Sequence, residues 1–372
     1  MACPQPAILS RRALNRALLA RQMLLERAPL PPEEAIHRLV GMQSQIPGNP
    51  YTGLWSRLDA FQPEAVSDLI LSRKLIRIAL MRGTLHLVTL GDGLLLRPIV
   101  QKVFERNMTP GSVYGRALAG IDMVALMQAG RQLLSETPLS NKDLAEALEP
   151  HFPGRDGHAL SQAVRALLPL VQVTPRGLWR QGGLAISTTI ESWTGQTVAT
   201  DPAPEPMILR YLAAFGPASV VDLQAWSGLT KLGDAMARLR EQLVEFRDED
   251  GKVLYDLPDA ARPDEDVAAP ARFLPDYDNV MLGHADRSRI VHDDHRAHFM
   301  KENGMIPAFL IDGFAAGSWR IDRERRRATL RITPLRQLAA KDRRTLTGEA
   351  EALLAFQEPD AETREIRILD AP

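Results

Sequence analysis

A repeating order of apolar patterns divides most of the chain into three similar units. In each unit, two or three segments with apolar side chains at helical spacing precede a short strand, a turn and a second strand. Gly83, Gly177 and Gly251 lie at the predicted turns, where a backbone with positive φ is needed. Helices followed by a hairpin are the plan of a winged helix. The pattern therefore predicts a tandem array of winged-helix units.

The same pattern sets the limits of each unit. The predicted domains are residues 1–120, 121–200 and 206–260, followed by a last region of residues 271–372. The predicted hairpins pair residues 75–78 with 85–88, 171–173 with 178–179, and 244–246 with 253–257. The proline-rich segment 201–206 separates the second unit from the third.

The last region has a different pattern, because short strand-like segments dominate it. A helix is predicted over residues 336–356, followed by a final strand over 365–369. We expect a small C-terminal β-rich, barrel-like domain. The fold class predicted for the whole chain is therefore α+β.

Composition indicates the class of protein and the cellular compartment to expect. The 372 residues are 45% hydrophobic and 24% charged, which is ordinary for a soluble globular protein. Cys3 is the only cysteine, so no internal disulfide can form and a reducing, cytoplasmic location is expected. No apolar run is long enough to predict a membrane span or a secretory signal.

Charge is unevenly distributed along the chain. Residues 1–120 contain 15 Lys and Arg against 8 Asp and Glu, whereas the remaining residues contain 30 against 38. A basic first third favours contact with phosphate groups. The alternative is that an asymmetry of this size carries no function.

Two glutamines separated by one residue are the most informative feature of the first unit. Gln43 and Gln45 flank Ser44, and Gly48 and Asn49 follow, where a helix cannot easily continue. Either the two amides face a cleft or a loop, or they only cap backbone groups at the end of a helix. The residues alone leave both interpretations open.

This segment resembles the Gln-x-Gln motif of the AlkZ-like winged-helix DNA glycosylases, which excise bulky alkylated bases. Other segments resemble the same family in the expected order, namely residues 21–25, 50–58, 82–88, 215–218, 274–278, 286–289 and 311–320. The resemblance implies tandem winged helices, a C-terminal β-domain, catalytic roles for Gln43 and Gln45, and no metal or organic cofactor. The middle position of the motif is usually aliphatic, whereas this chain has Ser44.

Amide side chains suit one kind of base excision. Alkylation at N7 makes guanine cationic, so the base leaves C1′ with little acid catalysis. A glutamine carbonyl oxygen can orient water and direct a negative dipole at the developing sugar cation. Because a true general base contributes ~10²–10⁴-fold, amides suffice only for an activated leaving group. The motif therefore favours charged, alkylated purines over normal or uracil-type bases.

Several side chains are candidates for DNA contact. Alternation along the first wing predicts Arg82, Thr84 and His86 on one face of a strand. A solvated strand face is the alternative for these three. The remaining candidates, all within segments that resemble the family, are Tyr51, Arg57 and Arg287.

The predicted partner is double-stranded DNA with alkylated bases, bound by a monomer, because no long dimerisation heptad is present. His292, His295 and His298 have no cysteine or carboxylate partner at a typical zinc spacing, so no metal site is predicted. Two other functions stay open. A non-catalytic winged-helix regulator would bind specific bases, usually as a dimer, and an interaction module would have lost DNA binding.

Overall fold

Short helices and short strands alternate along the part of the chain that the computed structural model describes, residues 6–301 and 304–371. The α-helices are α1 (Arg11–Arg21), α2 (Pro32–Arg38), α3 (Asn49–Trp55), α4 (Pro63–Leu71), α5 (Leu90–Ile99), α6 (Gln101–Arg106), α7 (Val113–Ala117), α8 (Met123–Glu136), α9 (Asn141–Leu148), α10 (Gly157–Leu167), α11 (Ile190–Thr194), α12 (Glu205–Phe215), α13 (Val220–Ser227), α14 (Gly233–Arg238), α15 (Asn279–Leu282), α16 (Arg296–Phe299) and α17 (Ala340–Gln357).

The strands complete a mixed α+β architecture. They are β1 (Ile8–Leu9), β2 (Met42–Gln43), β3 (Leu75–Ala79), β4 (Leu85–Thr89), β5 (Leu139–Ser140), β6 (Leu170–Gln172), β7 (Ile186–Thr189), β8 (Val244–Asp248), β9 (Val253–Asp256), β10 (Arg272–Leu274), β11 (Met300–Lys301), β12 (Gly304–Met305), β13 (Ala308–Ile311), β14 (Phe314–Glu324), β15 (Arg327–Pro334) and β16 (Thr363–Ile368).

Local signals in the sequence place several helix ends. Ser10 begins α1, because its hydroxyl accepts a hydrogen bond from the backbone N–H of Ala13 at 3.0 Å. Ser140 caps α9 in the same way, as its spacing to Asp143 predicts. Gly228 ends α13 with φ of +80°, a conformation that costs glycine little.

Strands of the first two predicted units form one six-stranded antiparallel sheet. Its order is β2-β4-β3-β6-β7-β5. The hairpin of β3 and β4 forms where the sequence predicts it. Strand β3 also pairs with β6, with Ile78 opposite Val171. The predicted boundary near residue 120 therefore does not separate two sheets.

The predicted return strand of the second hairpin is wrong. Strand β6 pairs with β7 rather than with residues 178–179. Trp179 instead lies 5.0 Å from Phe356 and 5.0 Å from Tyr51, measured between ring centroids. Burial of these large aromatic surfaces holds the segment between β6 and β7 as a loop.

The third hairpin forms as predicted. Strands β8 and β9 pair antiparallel, and Gly251 at their turn has φ of +80°. An N-terminal strand that the sequence did not predict adds to this hairpin, because β1 runs parallel to β8 with Ile8 opposite Arg247.

The C-terminal region is an open five-stranded sheet, so the predicted barrel-like closure is wrong. Its order is β10-β13-β14-β15-β16, and β10 and β16 lie at opposite edges. Helix α17 connects β15 to β16, which pair in parallel, as a crossover connection allows. The α17 residues buried against the sheet are Leu346, Ala350, Leu353 and Leu354. The helix thus covers the apolar face, and the sheet does not need to close.

Ion pairs of buried arginines join segments that are far apart in the chain. The pairs are Arg16 with Asp312, Arg21 with Asp256, Arg57 with Asp278 and Arg272 with Glu349. The most buried is that of Arg57 and Asp278, whose side chains are both 0% exposed and form two hydrogen bonds of 2.7 and 2.8 Å. Such a pair fixes geometry but leaves a costly charge if one partner is lost.

We therefore predict that Arg57→Met lowers the free energy of unfolding by about 3–5 kcal/mol, because Asp278 then stays buried without its partner. Urea denaturation measures this change. The matched control is Arg180→Met, which removes the partner of the exposed Asp360 and is expected to cost no more than about 1 kcal/mol. Equal losses for the two variants would contradict the prediction.

Candidate active site

The two glutamines lie at the edge of the six-stranded sheet and not at the end of a helix: Gln43 is the last residue of β2, and Gln45 lies in the bend that follows it. Helix α2 ends at Arg38, and the chain then turns at Gly41, which has φ of +87°. A Cβ at Gly41 would lie only 2.4 Å from a methyl carbon of Val88, so strand β2 approaches β4 closely. This approach places Gln43 opposite His86 in the antiparallel pairing.

Both amide carbonyls accept a hydrogen bond from a group on the first hairpin. Arg82 Nη2 donates to Gln43 Oε1 at 3.3 Å. The backbone N–H of Leu85 donates to Gln45 Oε1 at 3.4 Å. Each carbonyl oxygen has a second lone pair that these bonds leave for another donor. Gln43 is 8% exposed, whereas Gln45 is open to solvent.

The buried Arg77 holds Ser44 by hydrogen bonds to its side chain and to its backbone. Arg77 Nε donates to Ser44 Oγ at 3.0 Å, and Arg77 Nη2 donates to the Ser44 carbonyl oxygen at 2.8 Å. Because side chains alternate along a strand, Ser44 projects away from the face of Gln43. A serine in place of the usual aliphatic residue thus gains a polar anchor. Burial, and then the charge of Arg176, lower the pKa of Arg77 to about 10.

Arg82 lies at the turn of the first hairpin in a conformation that side chains rarely adopt. Its φ is +56°, in the left-handed region. Its guanidinium donates to the carbonyl of Trp226 as well as to Gln43. Gly228 packs so closely that a Cβ there would lie 3.0 Å from Arg82 Cα. The end of α13, in the third predicted unit, therefore helps to hold the Arg82 side chain beside the motif.

Arg287 brings a second positive charge to the same place. Burial, and then the charge of Arg287, lower the pKa of Arg82 to about 10. Arg287 Nη1 donates to Met300 Sδ at 2.7 Å, and its Nε is a buried atom with no hydrogen-bond partner among the described residues. The structure thus brings Arg82 and Arg287 together, although they are far apart in the sequence.

His86 is a neutral neighbour of Gln43 rather than an exposed basic contact. Its side chain is 3% exposed, and its Nδ1 lies 2.8 Å from the carbonyl oxygen of Thr84, so Nδ1 carries the proton and donates. Burial, and then the charge of Arg82, lower the pKa of His86 to about 3. The expected row of three exposed wing residues is therefore reduced to Arg82 and Thr84, both half-buried.

Two other candidates for DNA contact lie in the interior. Arg57 is the buried partner of Asp278, and its guanidinium cannot reach a phosphate in this fold. Tyr51 is 1% exposed, and its hydroxyl donates to the Gly177 carbonyl at 2.8 Å, with burial raising its pKa to about 12. Both expectations are therefore corrected, because tertiary packing covers segments that follow a polar motif in the sequence.

Apart from Arg82, the sequence did not single out the arginines that surround the motif. A cavity of about 580 Å³ opens beside Gln45, and its basic lining residues are Arg77, Arg82, Arg165 and Arg176. A charged residue inside the apolar run of β3 could have drawn attention to Arg77. Nothing local marks Arg165 or Arg176, because only the joining of β3 to β6 brings them to the motif.

The described part of the chain contains neither a cluster of metal-ligand side chains nor a membrane-spanning helix. In the described residues, no three His, Cys, Asp or Glu side chains converge as metal ligands would. Over the same ranges, no helix combines the length and the apolar character needed to cross a bilayer.

Comparison with known proteins gives a consistent result. A family model described as "DNA glycosylase AlkZ-like" matches residues 36–356. The chain is 26% identical over 329 residues to the "Interstrand DNA cross-link repair glycosylase" of Streptomyces sahachiroi, which covers 82% of this chain and 85% of that protein. The solved structure of Streptomyces sahachiroi DNA glycosylase AlkZ is similar with a TM-score of 0.78 and 19% identity, covering 97% of this chain and 100% of that one. The structural likeness supports the fold.

The neutral state of His86 predicts a pH dependence of stability. Its pKa is about 3 when folded and about 6.5 when unfolded, so only the unfolded chain binds a proton between these values. The free energy of unfolding should therefore fall as the pH drops below about 6.5, with His86 contributing about 1.4 kcal/mol per pH unit. Urea denaturation at several pH values should show a shallower slope for His86→Gln by this amount. Parallel slopes for the two proteins would show that His86 is protonated in the folded state.

Proposed function

The chain belongs to the AlkZ-like DNA glycosylase family, whose model covers most of its length, and we propose that it hydrolyses the N-glycosidic bond of cationic, alkylated purines in duplex DNA. Gln43 and Gln45 are the proposed catalytic residues. The observation that carries this proposal is the pair of amide carbonyls at the sheet edge, each anchored by one donor from the first hairpin.

The proposed role of the glutamines is to stabilise charge on the sugar and to orient the attacking water, with no direct action on the base. As the glycosidic bond breaks, positive charge develops on the sugar, and a carbonyl dipole directed at it lowers its energy. The free lone pair of each carbonyl accepts a hydrogen bond from the attacking water and orients it. Anchoring by Arg82 and by the Leu85 backbone fixes both dipoles before the reaction begins.

The surroundings of the motif favour a leaving group that needs no proton. His86, the titratable side chain paired with Gln43, is neutral and donates its only N–H to a backbone carbonyl. Among the described residues, no Asp or Glu lines the cavity beside Gln45. General acid catalysis is worth ~10²–10⁴-fold. An N7- or N3-alkylpurine, already cationic, leaves without it, whereas uracil does not.

We extend the proposal to bulky adducts and to interstrand crosslinks. The relative from Streptomyces sahachiroi is named for cross-link repair. Gln45 is exposed beside an open cavity rather than enclosed, and a lesion joined to a second strand cannot enter a closed pocket by base flipping. The exposed Gln45 at the sheet edge can reach such a lesion from outside.

Three winged-helix units are proposed to bind the duplex. The order of helices followed by paired strands supports this interpretation for the segments ending in β4, β7 and β9. Arg82, Thr84 and Arg287 are the remaining proposed DNA contacts. The two arginines lie near the motif and have no carboxylate partner among the described residues, so a DNA phosphate would supply the missing negative charge.

We predict that Gln43→Ala combined with Gln45→Ala lowers the single-turnover rate of 7-methylguanine release by at least about 100-fold, the typical cost of losing a preorganised dipole. Hot-alkali cleavage of the duplex reports the abasic sites. The variant should bind the same duplex with unchanged affinity, since uncharged side chains are removed. Full activity of the variant would contradict the proposed role of the glutamines.

A second prediction concerns the choice of base. In the same assay, the protein should release 7-methylguanine and open a nitrogen-mustard crosslink, but it should leave uracil in place, because no side chain beside Gln43 can protonate a neutral leaving group. Release of uracil at a rate comparable with 7-methylguanine would show that a general acid operates and that the amide mechanism is wrong.

A further inference from the structure

The cavity beside Gln45 is unusual in its electrostatics. Elsewhere in the fold, the buried Arg21 and Arg57 are matched by carboxylates at hydrogen-bonding distance, and the buried Arg97 donates to Gln101 and to backbone carbonyls. Four arginines line this cavity, and none forms an ion pair with any described residue. An accumulation of unpaired guanidinium groups is unfavourable unless an anion completes it.

Arg77 is not available to bind a ligand, because its guanidinium group already donates hydrogen bonds within the protein. It donates to Ser44 on one side and to the Gln172 side chain and the Arg176 carbonyl on the other. It therefore fixes the backbone of Arg176 relative to the glutamine motif.

Arg165 and Arg176 hold the unused donors. Arg165 lies on α10 with its side chain exposed, and it forms no hydrogen bond or ion pair with the described residues. Arg176 uses only Nη1, which donates to the Gly183 carbonyl at 3.0 Å. The other nitrogen atoms of both guanidinium groups are available to one group bound between them.

The charge of the cavity decides which part of the substrate enters it. A cationic alkylpurine is repelled by an unpaired guanidinium, and the repulsion is stronger in a protein cavity than in bulk water because the effective dielectric constant is lower. A phosphodiester is attracted instead, and its oxygens match the forked donors of arginine. The modified base therefore stays outside this cavity.

We propose that the arginine cavity beside Gln45 binds a phosphodiester group of the DNA backbone next to the modified nucleotide, with Arg165 and Arg176 as its ligands. This assignment rests on the proposed function, since it takes damaged duplex DNA as the substrate. It gives the glutamine motif a fixed distance from the bound phosphate, because Arg77 donates both to Ser44 of the motif and to the backbone carbonyl of Arg176.

The test measures binding of a short duplex with one 7-methylguanine as a function of KCl concentration. Arg165→Gln and Arg176→Gln should each weaken binding about tenfold and reduce the slope of log K against log salt by about 1. The matched control is Arg343→Gln, which removes an exposed charge on α17 away from the cavity and should leave both quantities unchanged. Variants that behave like this control would overturn the assignment.

A neutral methylphosphonate, moved one position at a time through the modified strand, locates the contact. The wild-type protein should lose affinity when the neutral group replaces the bound phosphate, whereas a variant that combines Arg165→Gln with Arg176→Gln should show no further loss at that position. An equal loss in both proteins would overturn the contact.

Binding and excision separate the two proposals. If the wild-type protein fails to release 7-methylguanine but the variants still change the salt slope, the proposed substrate is wrong and the phosphate site stands. If excision proceeds and the variants match the control, the phosphate site is wrong and the proposed function stands.

Discussion

The buried guanidinium–carboxylate pairs are the constraint on which the rest of the structure depends. Arg57 meets Asp278 with no exposure to solvent, and Arg21 meets Asp256 with almost none. Each pair joins the N-terminal helices to a segment more than two hundred residues later in the chain. Because a buried charge without its partner is very unfavourable, these pairs allow few alternative arrangements. Next to Asp278, Asn279 donates to the backbone carbonyl of Gly41 at 2.9 Å, so the segment that Arg57 fixes also contacts the chain just before Gln43.

The arginines around the glutamine motif, in contrast, have no carboxylate partners among the described residues. Arg82 and Arg287 approach each other without a carboxylate, and the cavity beside Gln45 contains further unpaired arginines. Other buried arginines without a carboxylate, such as Arg97 and Arg289, lie apart from one another, whereas this edge of the sheet collects several unpaired arginines around one cavity. The contrast explains how a chain with a net charge of −1 can bind a polyanion, because the location of unpaired charge matters more than the total.

The same site contains little that could move a proton. Burial keeps His86 neutral, and the side chains closest to the sugar in the proposed mechanism are amides. Such a site can stabilise positive charge on a sugar but cannot assist a poor leaving group. Its selectivity for alkylated bases would follow from the lack of a general acid as much as from the contacts made with the substrate.

The sequence by itself determined the elements that depend on local signals. Ser10 and Gly228 set helix ends, Gly251 set a turn, and the spacing of Gln43 and Gln45 identified the motif. Local signals act over a few residues, so a single sequence displays them. Only the tertiary structure decided that Arg57 is interior, that the C-terminal sheet stays open, and that Arg77 anchors Ser44. Those outcomes depend on which distant segments come together, since burial and ion pairing are properties of the assembled fold.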